Sequence, residues 1–150
     1  MNDLKKELYN LCVSYVKNRI DTTMFAIKSA QQAANDETKS SAGDKYETGR
    51  AMMQQEINSN QAQLNEANKL LVALNHISSN TISKTADAGS LVITNNGKFY
   101  IAISAGTLMV NGEAFFAVSP ASPIGLKLKG KKAGSEFDLN GKIYRVEMVS

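Results

Sequence analysis

Asp44 and Glu47, two carboxylates three residues apart, are the strongest chemical feature of this sequence. They sit in a small, polar, glycine-marked stretch, Thr38-Lys39-Ser40-Ser41-Ala42-Gly43-Asp44-Lys45-Tyr46-Glu47-Thr48-Gly49-Arg50, with a long helical pattern on each side. At the start of a helix, D-x-x-E forms a capping box: Asp44 caps and Glu47 reaches back to the Asp44 backbone N–H. The same spacing sets two carboxylates one turn apart on one helix face, which is half of a Mg²⁺ site. Magnesium takes about six oxygen ligands and keeps several waters, so a partner must complete such a site. From the residues alone both readings stand.

Other reactive groups are few. Cys12 and His76 are the only available nucleophile–base pair, and no third group orients them. A seam position for Cys12 and a helix-end position for His76 account for both without catalysis. Lys127, Lys129, Lys131 and Lys132 form a basic run that is either solvated surface or a contact to RNA or an acidic protein face. No Trp is present and no Tyr or Phe is interleaved with these lysines, so base stacking is not indicated. Gly125, Gly130 and Gly134 lack the Lys-Ser/Thr that would follow in a phosphate-binding loop.

The elements that must position the acids are readable from periodicity. Leu4, Leu8, Leu11, Tyr15, Ile20, Thr23, Ile27, Ala30 and Ala34 recur as one helical stripe, with Asp3 as the expected N-cap. Beyond the tip, Met53, Ile57, Asn60, Leu64, Ala67, Leu71 and Leu74 alternate steps of four and three, a heptad seam with one polar break. No proline precedes Pro120, so nothing breaks either helix. Two such helices joined by a short polar tip pack antiparallel. About 33 residues of helix make a rod of roughly 50 Å, a poor way to build a core and a good way to carry a few residues into a narrow place.

The period then changes. A small-residue linker leads to short β-like runs at 90–94, 98–104, 107–110, 113–118 and 142–149. Asn95-Asn96-Gly97, Asn111-Gly112 and Asn140-Gly141 are expected to supply the positive-φ residues of tight hairpins. Ser122-Pro123 starts a short helix toward Leu128, stopped by Gly130. The expected architecture is α+β: a helical hairpin over 1–78 with its tip near 40–49, a linker over 79–89, and an antiparallel sheet with one short helix over 90–150.

Composition sets outer limits. A hydrophobic fraction of 43% and a charged fraction of 21% are those of a water-soluble globular chain. No apolar run reaches the roughly 18 residues of a membrane span. The start, Met1-Asn2-Asp3-Leu4-Lys5-Lys6-Glu7, has no apolar signal core, and a single cysteine fits a reducing compartment. A cytoplasmic location is therefore expected. The net charge of +3 is too small to point to nucleic acid, and the whole excess falls after residue 82.

Two patches resemble the Gre-type transcript cleavage factors of bacterial RNA polymerase. Gly43-Asp44-Lys45-Tyr46-Glu47 is similar to that family's G-D-x-x-E. Ser122-Pro123-Ile124-Gly125-Leu126-Lys127-Leu128-Lys129-Gly130-Lys131-Lys132-Ala133-Gly134-Ser135 is similar to its S-P-I-x-x-G-L-I-G-K-x-x-G-D, with Lys127, Lys129 and Ser135 in place of Gly, Ile and Asp. The resemblance implies an N-terminal antiparallel coiled coil and an FKBP-like C-terminal domain. It implies a monomeric accessory factor, not an enzyme, with RNA polymerase and, through it, the nascent RNA 3′ end as partners. The C-terminal domain would dock outside the secondary channel, through Ser122, Pro123, Ile124, Gly130 and Lys131. The coiled coil would enter the channel, where Asp44 and Glu47 would help hold a second Mg²⁺ and the polymerase would cleave its own backtracked RNA. Lys39, Lys45 and Arg50 would meet the phosphates of the extruded RNA. One departure sets a second expectation. Where the family continues with an acid and an aromatic after the second carboxylate, this chain has Thr48, Gly49, Arg50 and Ala51. A relative that occupies the channel without stimulating cleavage would fit that change. The FKBP-like fold alone suggests a third class, a peptide-binding or prolyl-isomerase module.

Overall fold

The computed structural model describes the backbone of residues 2–40, 44–77 and 83–150, and the side chains of 3–36, 49–77 and 83–150. Two long helices come first, α1 (Asn2–Ser40) and α2 (Asp44–Asn75). Strands β1 (Leu91–Thr94), β2 (Gly97–Ile101), β3 (Gly106–Val110) and β4 (Glu113–Val118) follow, then the short helix α3 (Pro123–Leu128), β5 (Glu136–Leu139) and β6 (Lys142–Val149). The chain divides into two compact units: the start of α1 through Tyr15 together with Val72–Ser150, and Val16–Leu71.

The helices follow their stripes residue by residue. Every apolar-stripe position of α1 from Leu4 to Ala34, and every heptad position of α2 from Met53 to Leu74, is buried or half-buried. Thr23 tolerates burial because its hydroxyl donates to the Arg19 carbonyl at 2.7 Å. In the Val16–Leu71 unit the helices run antiparallel: Met24, Phe25 and Ile27 line one groove with Gln61 and Leu64, and Gln31 and Ala34 line another with Arg50, Gln54 and Ile57. In the other unit the Tyr9 hydroxyl donates to the Leu74 carbonyl at 3.0 Å. Asp3 lies inside the first turn of α1 and is not its cap. There its charge suits the positive end of the helix dipole.

The six strands form one sheet in the order β3-β4-β2-β1-β6-β5. Every neighbouring pair is antiparallel except β2 and β4, which run parallel. The sheet is otherwise antiparallel, as expected, and this one parallel pair is the exception. β4 returns from β3 and inserts beside β2, so β3 is displaced to the sheet edge. Asn111 with Gly112 and Asn140 with Gly141 take positive φ, as a two-residue hairpin requires. The turn after β1 differs, because positive φ there falls on Gly97 alone. Asn95 and Asn96 instead spend their side chains on β6: Asn95 Oδ1 accepts from Arg145 N–H at 2.6 Å, and Asn96 Nδ2 donates to the Ile143 carbonyl at 2.9 Å.

Each face of the sheet is buried over part of its area. On one, Val92, Phe99, Ile101, Phe137 and Val146 pack with Leu128 and Ile124 of α3. On the other, register aligns Leu91 with Tyr100, Tyr100 with Ala117, and Leu108 with Phe115, all buried. Leu8, Cys12 and Leu74, from the hairpin base, are fully buried in the same unit.

Cys12 and Tyr100 predict an alkaline weakness. Desolvation pushes the Cys12 thiol up to about 11. Desolvation pushes the Tyr100 phenol up as well, aided by Cys12 and Tyr9. Both groups are neutral in the fold and ionise earlier in the unfolded chain, so stability holds below about pH 8.5 and falls as pH rises toward 11. Urea midpoints read by circular dichroism should drop between pH 8 and pH 10.5, and Cys12→Ala should remove part of that slope. An unchanged midpoint would contradict the buried placement.

Candidate functional site

α1 ends at Ser40 and α2 begins at Asp44, so the acid pair falls in the first turn of the second helix. Residues 44 and 47 are one turn apart there, on one face. The first turn is also where unpaired N–H groups and the helix dipole favour carboxylates. The side chains of Lys39, Asp44, Lys45 and Glu47 lie outside the described residues, as does the geometry of the capping box. Arg50 is described: it is exposed and lines a mostly polar cavity of about 390 Å³ with Gln31, Ala34, Asn35, Gln54 and Ile57.

Among the described residues no group of three or more His, Cys, Asp or Glu could hold a metal ion. Two carboxylates supply a minority of the ligands that Mg²⁺ takes. Cys12 and His76 do not make a catalytic pair. Cys12 is fully buried with a raised pKa, which makes it an inert thiol, and His76 is exposed just past α2.

Ser122, Pro123, Ile124, Gly130 and Lys131 are brought together around α3. Ser122 is its N-cap: Oγ accepts from Gly125 N–H at 3.1 Å and donates to the Ser119 carbonyl at 2.6 Å. Pro123 occupies the first turn, where its missing N–H costs nothing. Ile124 packs on the core. Gly130, at φ +80°, ends the segment. Its N–H donates to the Ala86 carbonyl, and Ala86 N–H donates to the Lys131 carbonyl, both at 2.8 Å. Most of this motif therefore builds and anchors the α3 turn.

Sequence reasoning missed an apolar groove of about 380 Å³ in the Val16–Leu71 unit, lined by Met24, Phe25, Ile27, Lys28, Gln31, Gln61 and Leu64. Phe25 is 73% exposed. The signal was present, since Met24 and Phe25 are large apolar residues off the stripe.

No family model matches this chain, and no curated protein matches it. Among solved structures, that of the transcription factor Gfh1 is similar over 87% of this chain and 92% of that one, at 16% identity and a TM-score of 0.35. A likeness this distant does not assign a family.

The α3 turn gives a stability test. A methyl at residue 125 would collide with the Ser119 carbonyl oxygen, which is backbone and cannot swing away. Gly125→Ala should cost about 1–3 kcal/mol, and Ser122→Ala about 0.5–2 kcal/mol through cap loss. Urea denaturation followed by tyrosine fluorescence would check both. A neutral Gly125→Ala would contradict the close approach.

Proposed function

We propose that this protein is a transcription elongation factor that binds bacterial RNA polymerase, carries its hairpin tip into the secondary channel and stimulates cleavage of backtracked RNA. The observation that carries the reading is the coincidence of sequence motif and fold. Asp44 and Glu47 of the Gly43-Asp44-x-x-Glu47 motif fall in the first turn of α2, which begins four residues after the end of α1. The α3 motif around Ser122–Gly134 supports it, because it marks the sheet-bearing unit at the other end of the chain.

In this reading the chain is not itself the catalyst. Asp44 and Glu47 contribute anionic oxygens at a point where the polymerase and the RNA supply the rest of the coordination. A Mg²⁺ held there provides charge stabilisation and a water of lowered pKa. The hairpin's task is placement, and the docking of the sheet-bearing unit supplies affinity. A second reading, a channel-binding regulator that does not stimulate cleavage, is favoured by Thr48, Gly49 and Arg50 standing where the resembled family has an acid and an aromatic.

Stalled elongation complexes with 3′-extruded RNA, incubated in Mg²⁺ with and without the protein, separate the two. The first reading expects cleavage well above the polymerase's own rate. Asp44→Asn and Glu47→Gln should each return it to that basal rate with polymerase binding nearly intact. Under capping alone Asp44→Asn would be silent, since Asn is itself a good cap. Binding without cleavage by the wild type would leave the second reading in place. Charge near the tip gives a further expectation: neutralising Lys39, Lys45 and Arg50 together should reduce stimulation most on long backtracked transcripts. An equal loss at every length would contradict phosphate contact by these cations.

A further inference from the structure

Met24 and Phe25 stand outside the buried stripe of α1. They are 54% and 73% exposed, and with Ile27, Lys28 and Leu64 they border the apolar groove of about 380 Å³. Around them the hairpin is nearly without charge: residues 22–35 carry Lys28 alone, and residues 57–65 carry none. A helix face turned to water carries polar and charged residues, not a phenylalanine beside a methionine. Charge depletion around an aromatic ring and a methionine is the composition of an interface core.

The flanking charges say what this face meets. Asp21 lies three residues before Met24, and Lys28 three residues after Phe25. The pattern Asp21-x-x-Met24-Phe25-x-x-Lys28 is therefore symmetric in position about the Met24–Phe25 peptide bond and opposite in sign across it. Positions 21, 24, 25 and 28 share one face of a helix, and 21 and 28 are two turns apart, about 10.5 Å. Both charged residues are exposed, and among the described residues neither has an ion-pair partner. A second copy of the helix laid antiparallel on this face, with the two-fold axis between residues 24 and 25, sets each Asp21 opposite the other copy's Lys28. Each Phe25 then comes opposite the other copy's Met24. Further out, Lys17 meets Gln32 and Asn18 meets Gln31, all exposed, with no like-charge contact. Laid parallel, the same face would set Asp21 on Asp21 and Lys28 on Lys28.

We propose that two copies of this chain associate antiparallel through this face of α1, the Phe25 ring of each covering the groove beside the other's Met24. Such an interface is isologous, because one patch carries both the projecting ring and the groove that takes it. Burial of Met24 and Phe25 supplies the affinity. The ion pairs are exposed and add little to it, but they fix orientation and register. Two large apolar side chains per copy make a small interface, and small interfaces are reversible. The proposal departs from the monomer that the sequence resemblance implies, and it does not depend on what the hairpin tip does.

Sedimentation equilibrium of the full chain, from low micromolar to several hundred micromolar, tests it. The mass should rise from monomer toward dimer over that range. Phe25→Ser should weaken the dimer at least tenfold, with an unchanged circular dichroism spectrum because the side chain is exposed. Asp21→Lys and Lys28→Asp should each weaken self-association at least tenfold, since each sets like charges opposite one another. Mixed in equal amounts, these two variants should form a heterodimer of wild-type strength, and the double variant carrying both changes should self-associate as the wild type does. Met52→Ser, at an exposed α2 methionine outside the patch, should leave the dimer unchanged. A wild type that stays monomeric at every concentration would give the patch to a different protein and overturn the proposal. Full self-association of Phe25→Ser, an equal loss in Met52→Ser, or failure of the mixture and the double variant to restore pairing would overturn it as well.

Discussion

A six-stranded sheet with one short helix cannot cover both of its own faces, and this constraint organises the molecule. α3 reaches one face, where Leu128 and Ile124 meet Phe99, Ile101, Phe137 and Val146. The opposite face carries Leu91, Tyr100, Leu108, Phe115 and Ala117, all buried. The first turns of α1 and the end of α2 belong to the same compact unit as that sheet. Cys12 and Tyr9 lie close enough to Tyr100 to oppose its ionisation. Each fully buried Leu or Ile contributes about 1.5–3 kcal/mol. The Tyr100 hydroxyl is buried with no hydrogen-bond partner among the described residues, at a cost of about 1–3 kcal/mol. The gain from burying so many apolar side chains outweighs that loss, so the phenol stays inside as a large hydrophobe.

α1 is helical without interruption from Asn2 to Ser40, and α2 from Asp44 to Asn75. In the Val16–Leu71 unit the seam side chains Met53, Ile57 and Leu64 are half-buried.

The helices were legible because their signal is local. A heptad repeat names its own buried positions, and the seam from Met53 to Leu74 matches the burial at every position. The α+β class and α3 were legible for the same reason, from a change of period and from Ser122-Pro123. The missed strand, β5, is only Glu136–Leu139, with Phe137 and Leu139 alternating against acids. Four residues give periodicity little to work on, although the Asn140-Gly141 turn beside it was visible. The parallel pairing of β2 with β4 was not legible, because strand order is set by long-range packing and not by any residue within the strands. Lys5 illustrates the same limit: it is buried beside the Leu4–Leu8 stripe, at the base where α1 shares a unit with the sheet. At the α3 motif, Ser122-Pro123 and Gly130 were legible as the start and stop of the helix, and docking through Ser122, Pro123, Ile124, Gly130 and Lys131 was implied by resemblance alone. The structure shows that Ser122, Gly125 and Gly130 shape the turn, and leaves Leu126 and the lysines facing outward.

We propose that the tip reaches the interior of RNA polymerase. The most direct test replaces Tyr46, between the two acids, with a photo-crosslinking phenylalanine derivative and irradiates the full-length protein with stalled elongation complexes. The account predicts a crosslink to the polymerase's catalytic subunit or to the RNA 3′ end, lost when excess unlabelled protein competes. A folded, labelled protein that crosslinks to neither, or only to the polymerase exterior, would contradict it.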